Sequence, residues 1–144
     1  MRFWDSSAIV PLIVEEAGSA ACRRLLRADR VIAAWALSRV EVLFAVWRRV
    51  RAGDMERAGA VQAIRRLDAL AAHWIEVDGI EAVRARAERI LAVHPLRAAD
   101  ALQLAAALVL SKDRPHWPFV TGDEQLAGVA ELEGFDVIVP EAAR

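Results

Sequence analysis

The stretch RFWDSSAIVPLI, residues 2–13, joins a short strand pattern to a helix pattern, with Asp5 at the junction. The stretch WPFVTGDEQLAGVAEL, residues 117–132, repeats this order with Asp123 at the junction. In open α/β sheets, binding sites form just beyond the carboxyl ends of the strands, so both aspartates are candidate site residues. Aspartate is also a favoured helix N-cap, and that purely structural role remains open for each of them.

The rest of the chain continues the alternation of short strand patterns with longer helical ones. This alternation is typical of an α/β domain with a mainly parallel sheet, for which we expect about four to five short strands flanked by helices. No linker, repeat or low-complexity segment interrupts the sequence, so residues 1–144 are predicted to form a single domain. The predicted strands are Arg2–Trp4, Val31–Ala34, Trp74–Val77, Trp117–Thr121 and Asp136–Val139. The predicted helices span about Ser7–Val14, Ser19–Ala28, Leu37–Arg51, Met55–Ala72, Ile80–Val93, Ala98–Lys112 and Glu124–Glu133.

The composition of the 144 residues limits the classes of protein to which the chain can belong. Hydrophobic residues make up 56% and charged residues 27%, which predicts a packed globule rather than a disordered chain. The formal net charge is −1, so a nucleic-acid partner would need a local basic patch. Cys22 is the only cysteine, which excludes a disulfide framework and a cysteine-based zinc site. The first residues lack a signal-peptide pattern and no apolar stretch is long enough to span a bilayer, so we expect a soluble, cytoplasmic protein.

Two further carboxylates lie inside predicted helices, where a capping role does not explain them. Glu41 lies within the apolar segment LSRVEVLFAVW, and Asp100 lies within RAADALQLAAALVL. An unpaired carboxylate on a buried helix face is costly unless it takes up a proton or meets a positive charge. For either residue alone, a salt bridge to Arg97 or Arg39 remains an open alternative.

The four acidic residues considered together favour a metal site over arginine pairing. Asp5 and Asp123 lie at strand ends, and Glu41 and Asp100 lie on helix faces predicted to point inward. Hard divalent cations prefer sites made only of oxygen ligands. Because no cysteine or histidine has ligand-like spacing, we expect Mg²⁺ or Mn²⁺ rather than zinc.

Four short motifs surround these residues in a fixed order. They are DSSA at residues 5–8, the Glu41 helix with Ser38 one turn earlier, ADALQLA at residues 99–105 and FVTGDEQL at residues 119–126. In this order and spacing the sequence resembles the PIN-domain nucleases, and in particular the VapC-like toxins of bacterial and archaeal toxin–antitoxin pairs. The resemblance implies a PIN-like three-layer sandwich, in which helices cover both faces of the sheet.

The resemblance also implies roles for individual residues. The acidic quartet of the family, which is catalytic and binds Mg²⁺ or Mn²⁺, matches Asp5, Glu41, Asp100 and Asp123. Three small hydroxyl residues, Ser7, Thr121 and Ser38, match supporting positions beside the quartet, although Ser7 could be a plain helix cap and Thr121 a plain strand-end residue. Glu124 could replace Asp123 in one metal position, and the sequence does not decide between them. Arg97 and Arg39 are predicted RNA contacts, with Arg23 and Arg24 as further candidates.

The function implied by the resemblance is that of a metal-dependent endoribonuclease that hydrolyses RNA phosphodiester bonds as the toxin of a toxin–antitoxin pair. The implied partners are RNA, a cognate antitoxin and a second copy of the chain in a homodimer. The alternative is a PIN fold kept as a non-catalytic module for RNA binding or protein interaction, in which members of the quartet would be lost. The presence of all four acidic residues favours the enzyme. Phosphatases that form an aspartyl-phosphate need a second acid two residues after the first, where this chain has Ser7.

Overall fold

The computed structural model of the chain describes residues 1–141, in which five short strands alternate with helices. The strands are β1 (Arg2–Trp4), β2 (Ile32–Trp35), β3 (Ile75–Val77), β4 (Pro118–Val120) and β5 (Asp136–Ile138). The helices are α1 (Ser6–Ile13), α2 (Ser19–Ala28), α3 (Ser38–Ala52), α4 (Arg57–Ala71), α5 (Ile80–Val93), α6 (Ala98–Ser111) and α7 (Glu124–Leu132).

The five strands form one parallel sheet in the order β3-β2-β1-β4-β5. β1 is central: the chain builds outward through β2 and β3 on one side and through β4 and β5 on the other. The topological switch point therefore lies between β1 and β4, and it is here that open α/β sheets form binding sites. Asp5 directly follows β1, and Asp123 begins α7 just after β4.

Alternate residues of each strand point to opposite faces of the sheet, and each face carries its own apolar core. Phe3, Ala33 and Phe119 belong to the cluster that packs against α5, α6 and α7. The neighbouring residues Trp4, Ala34 and Val120 belong to the cluster that packs against α1, α3 and α4. Helices therefore cover both faces, which confirms the predicted three-layer α/β sandwich with a parallel sheet.

The predicted bounds of the helices and strands differ from those in the structure by at most two residues. β2 runs one residue later than predicted, because Trp35 is buried in the sheet whereas Val31 is exposed. α4 begins at Arg57 rather than Met55. Pro11 is the sixth residue of α1 and so lies beyond the first turn, where a proline would leave no helical hydrogen bond unmade. Its missing N–H therefore leaves the Ser7 carbonyl without its helical donor.

Membrane-spanning helices were not expected from the sequence. Within residues 1–141, every helix is too short or too polar to cross a bilayer.

Candidate active site

A cavity of about 320 Å³ opens at the switch point of the sheet, and all four predicted acidic residues line it. Each carboxylate comes from a different part of the chain: the end of β1, α3, α6 and the junction of β4 with α7. The parallel sheet brings the two strand ends together, and the packing of α3 and α6 on opposite faces brings in the two helical acids. The acidic residues that line the cavity are Asp5, Glu16, Glu41, Asp100 and Asp123.

Asp5 is the most deeply buried of the four, with 2% of its surface exposed. Its side chain caps α1 by accepting a hydrogen bond from the Ser7 backbone N–H at 3.2 Å. It also accepts hydrogen bonds from the Ser7 hydroxyl and, at 3.0 Å, from the Thr121 hydroxyl. The carboxylate is therefore held in one orientation at the wall of the cavity.

Ser7 and Thr121 also connect Asp5 to the loop that carries Asp123. The Gly122 N–H donates to the Ser7 hydroxyl oxygen at 2.9 Å, and the Asp123 N–H donates to the Thr121 hydroxyl oxygen at 3.0 Å. Neither hydroxyl residue is merely a cap or a strand-end residue, because each joins the two strand ends of the switch point. Both stand where the sequence predicted supporting residues.

Glu41 is half-buried and is held by donors from two other elements. The Ser6 hydroxyl donates to one of its oxygens at 2.8 Å, and the Gln103 amide donates to the other at 3.1 Å. The same amide also donates to the Ser38 hydroxyl oxygen at 3.0 Å, and Gln103 and Ser38 are both fully buried. Ser38 therefore acts on Glu41 through Gln103 rather than by direct contact.

The carboxylates of Asp100 and Asp123 each have one partner within their own segment of the chain. An oxygen of Asp100 lies 3.6 Å from Nε of Arg97, one turn earlier, which realises the salt bridge considered from the sequence. The Asp123 side chain caps α7 by accepting a hydrogen bond from the Leu126 N–H at 2.9 Å. Glu124 is exposed and does not line the cavity, so the arrangement favours Asp123 over Glu124 as the acidic group at this end.

Burial and mutual repulsion shift the protonation of this cluster. Burial raises the pKa of Asp5, against the hydrogen bonds from Ser7 and Thr121, and the charge of Asp100 raises it further. Burial likewise raises the pKa of Glu41, to which the charges of Asp5 and Asp100 contribute. The pKa of Asp100 is raised by burial and by Asp123, although Arg97 opposes the shift. The carboxylates thus lack sufficient positive charge from the chain itself.

The donor set suits a hard divalent cation, since it consists of carboxylate and hydroxyl oxygens around one cavity. Within residues 1–141, however, no three Asp, Glu, His or Cys side chains are arranged to share one ion as they stand. Each carboxylate instead turns to a neighbouring donor: Ser6, Gln103, Arg97 or a helix N-terminus.

The arginines around the cavity are only partly those expected. Arg97 lines it, with 85% of its side chain exposed. Arg39 does not line it, because its guanidinium pairs at 2.6 Å with Asp68 of α4. Arg23 pairs with Glu15 and also lies outside the cavity. The other arginines that line the cavity are Arg48 and Arg49 of α3, which were not predicted from the sequence to contact RNA.

A comparison with known families places this geometry in context. The family model described as the PIN domain matches residues 2–132. The chain belongs to the PIN domain family. The resemblance seen in the four sequence motifs is thereby confirmed.

Individual PIN-domain relatives are similar over nearly the whole chain. The chain is 35% identical over 138 residues to Ribonuclease VapC46 of Mycobacterium tuberculosis, with 96% of each chain covered. A toxin–antitoxin complex from Klebsiella pneumoniae aligns with a TM-score of 0.66 at 16% identity, over 99% of this chain and 100% of that chain. FitAcB from Neisseria gonorrhoeae aligns with a TM-score of 0.68 at 18% identity, over 97% and 98% of the two chains. At these identities the two solved structures support the fold alone.

The residues that sequence reasoning missed carry recognisable signals. Arg48 lies seven residues after Glu41, about two turns along the same helix face, whereas Arg39, two residues before Glu41, lies on another face. Ser6 is adjacent to Asp5 in the first motif, and Gln103 lies three residues after Asp100 on α6. Helical spacing measured from Glu41 would have found Arg48, and the sequence already places Gln103 on one polar line of α6 with Arg97 and Asp100, although not its contact with Glu41.

Proposed function

We propose that this PIN domain is a metal-dependent endoribonuclease that hydrolyses RNA phosphodiester bonds as the toxin of a toxin–antitoxin pair. The observation that carries the proposal is the convergence of four carboxylates, from four separate parts of the chain, on one cavity at the switch point of the sheet. The similarity to Ribonuclease VapC46 supports the same class of reaction. The pKa values of three of these carboxyl groups, Asp5, Glu41 and Asp100, are raised. Perturbed pKa values of this kind are typical of functional sites, and a bound cation would stabilise the charged carboxylates.

The residues that would hold Mg²⁺ or Mn²⁺ are Asp5, Glu41, Asp100 and Asp123. When bound, such an ion neutralises charge on a phosphodiester and makes an attacking water more acidic. Without the ion, the four carboxylates would repel an RNA phosphate. An RNA substrate can therefore enter the acidic cavity only when a bound metal ion neutralises this negative charge.

The chain's own contribution is to fix the ligands. Ser7 and Thr121 donate to Asp5, and Ser6 and Gln103 donate to Glu41, so these two carboxylates have hydrogen-bond partners that limit their orientation. Hydrogen-bond partners of metal ligands commonly affect affinity or activity about 10–100-fold. Ser38 supports this arrangement through Gln103.

Arginines at the rim supply positive charge for the RNA backbone. Arg97 and Arg48 border the cavity and are exposed, so they can contact phosphates on either side of the scissile bond. Arg39, held by Asp68 outside the cavity, could contribute only to a more distant part of the strand.

The proposal includes the partners of a toxin. A cognate antitoxin would hold the protein inactive, the toxin would act in the cytoplasm, where it meets cellular RNA, and we expect a homodimer. The antitoxin proposal is supported by the fold shared with the Klebsiella pneumoniae toxin–antitoxin complex.

The direct test is RNA cleavage by the purified protein, freed of any antitoxin. We expect cleavage with Mg²⁺ or Mn²⁺ and none with EDTA, followed by gel electrophoresis and mapping of the new 5′ ends. Asp5→Asn and Asp100→Asn should each lower the cleavage rate by at least about 100-fold, because each removes a charged ligand of the metal. Circular dichroism should show that both variants remain folded.

Asp54→Asn is the matched control, because Asp54 is an exposed aspartate in the turn between α3 and α4 and should leave cleavage unchanged. If Asp5→Asn and Asp100→Asn both cleave RNA at the wild-type rate, the site assignment is wrong. If the wild-type protein binds RNA or a partner protein but never cleaves with either metal, the chain is the non-catalytic PIN module instead.

A further inference from the structure

Phe44 of α3 is an aromatic residue whose side chain lies outside the two apolar cores. It is 59% exposed, whereas Val42 and Val46 of the same helix are fully buried. A single exposed apolar residue is ordinary in itself. Phe44, however, lines a second cavity of about 560 Å³ that also contains Glu41 and Asp100. The ring therefore stands directly beside the acidic cavity, which shares those two residues.

Two guanidinium groups accompany this ring. Arg48 lies one turn further along α3, with its guanidinium carbon 6.0 Å from the centre of the Phe44 ring. Among residues 1–141, Arg48 has no carboxylate within ion-pair distance. Arg97 borders the same cavity from the start of α6. Arg48 and Arg97 each line both cavities, so both arginines border the region where the two cavities meet.

This combination has the chemistry of a nucleotide site. A flat exposed ring stacks on a base of any identity, and an adjacent guanidinium contacts a phosphate or adds to the stacking. The cavity lies within the range of about 300–1,000 Å³ common for small-ligand sites, which leaves room for one nucleotide. Because a base can reach such a ring only when it is unpaired, the arrangement selects single-stranded RNA.

A second copy of the chain fits the same surface less well. The apolar residues of the cavity are Val40, Phe44, Ala45 and Ala99, and four charged residues, Glu41, Arg48, Arg97 and Asp100, lie among them. Cores of protein interfaces are depleted of charged residues. Arg48 lies beside the Phe44 ring and can contact an RNA phosphate, which favours the RNA strand as the occupant.

We propose that Phe44 and Arg48 form a stacking subsite for an unpaired base of the RNA substrate, next to the scissile phosphate. This inference rests on the proposed nuclease function and specifies how that site holds its substrate. Phe44 supplies the face on which the base lies, and Arg48 contacts the base or its flanking phosphate.

The test measures RNA binding separately from cleavage. Wild-type and variant proteins are titrated, with Ca²⁺ in place of Mg²⁺, into a short unstructured fluorescein-labelled oligoribonucleotide, and anisotropy gives Kd. Phe44→Ala should raise Kd about tenfold, the size expected for loss of one base–aromatic stack, while Phe44→Trp should stay close to wild type. Leu37→Ala is the control, because Leu37 is an exposed apolar residue beside α3 that lines neither cavity.

An abasic series then locates the base. Removing one base at a time from the oligoribonucleotide should weaken wild-type binding at one position, and Phe44→Ala should cause no additional loss there. The inference is overturned if Phe44→Ala binds as tightly as wild type, or if its loss is the same on every abasic strand. It is also overturned if Phe44→Ala converts a dimer to a monomer in sedimentation, because the surface is then an interface between copies.

The two proposals fail in distinguishable ways. A wild-type protein that cleaves RNA, with Phe44→Ala equal to it in Kd and rate, overturns the stacking subsite and leaves the nuclease intact. A wild-type protein that neither binds nor cleaves RNA overturns both.

Discussion

At the scale of single residues, Asp5 and Asp123 each cap a helix and also line the acidic cavity. Each side chain accepts a backbone N–H at the start of its helix and still lines the acidic cavity. A carboxylate has more than one lone pair on each oxygen, so one hydrogen bond does not use up its capacity. The capping role left open by the sequence is therefore present in the structure, and it leaves oxygen lone pairs free for the proposed metal.

Asp100→Asn should raise the melting temperature of the metal-free protein at neutral pH by a few degrees. The folded-state pKa of Asp100 is raised, chiefly by burial and then by Asp123, so its stabilising contribution exists at low pH and is lost as pH rises through that pKa. The asparagine amide carries no charge, so the variant does not lose this stability as the pH rises. Differential scanning fluorimetry with EDTA measures the effect.

The same substitution should reduce the gain in melting temperature that Mn²⁺ gives the wild-type protein, since one ligand is missing. Asp54→Asn, which changes an exposed aspartate, should affect neither value. A variant that is less stable without metal and gains as much as wild type with it would contradict this account of Asp100.

At the scale of elements, the helices on one face of the sheet are joined by polar contacts as well as by the core. Glu133, just after α7, accepts hydrogen bonds from Arg89 of α5 at 2.8 Å and pairs with His94 at 2.8 Å. The carboxylate is 14% exposed, so the contact is shielded from solvent. The hydrogen bond and charge of Arg89, followed by the contact with His94, lower the pKa of Glu133.

Glu133→Gln should lower the free energy of unfolding at neutral pH, and the difference from wild type should disappear in acid. Because the folded-state pKa is lowered, the stabilisation is present above the ordinary pKa of about 4.3 and is lost as pH falls through the lower folded value. Urea unfolding at a series of pH values measures this difference. Glu131→Gln, at an exposed position of α7, should leave the pH profile unchanged, and a constant difference for Glu133→Gln at all pH values would contradict the assignment.

The element boundaries could be predicted because local chemistry sets them. Gly53 ends α3 in the left-handed conformation, with φ of 80°, and Asp5 and Asp123 begin their helices as caps. The strand order β3-β2-β1-β4-β5 could not be read in the same way, because it depends on contacts between distant segments. Arg48 was missed although its spacing from Glu41 indicates the same face of α3, and that face, not the face of Arg39, lines the cavity.

The acidic residues themselves could be found from sequence because their placement is locally anomalous. Glu41 and Asp100 lie in apolar helical segments, where burial of a carboxylate costs free energy unless a partner compensates for it. Their hydrogen-bond partners could not be assigned, since the Gln103 amide reaches Glu41 only because α6 packs near α3 at the switch point. How the four carboxylates would be placed about an ion could not be predicted either, and within residues 1–141 no three such side chains are arranged to share one.

At the scale of the whole molecule, the sheet explains why one site draws on residues from both ends of the chain. β1 and β4 are neighbours although residues 5 and 121 are far apart in sequence, so the Thr121 hydroxyl can donate to Asp5 at 3.0 Å. A helix from each face then contributes one carboxylate. The three-layer architecture thus places four acidic residues where no local segment could.

The central claim is that Asp5, Glu41, Asp100 and Asp123 together form one site that binds a divalent metal ion. Anomalous diffraction from crystals of the protein grown with Mn²⁺ tests it most directly, with Asp5→Asn crystals as the matched control. The account predicts an anomalous peak in the cavity, within bonding distance of at least three of these carboxylates, and a weaker or absent peak for the variant. A well-ordered cavity without a peak at saturating Mn²⁺, or a peak bound only by residues elsewhere, would contradict it.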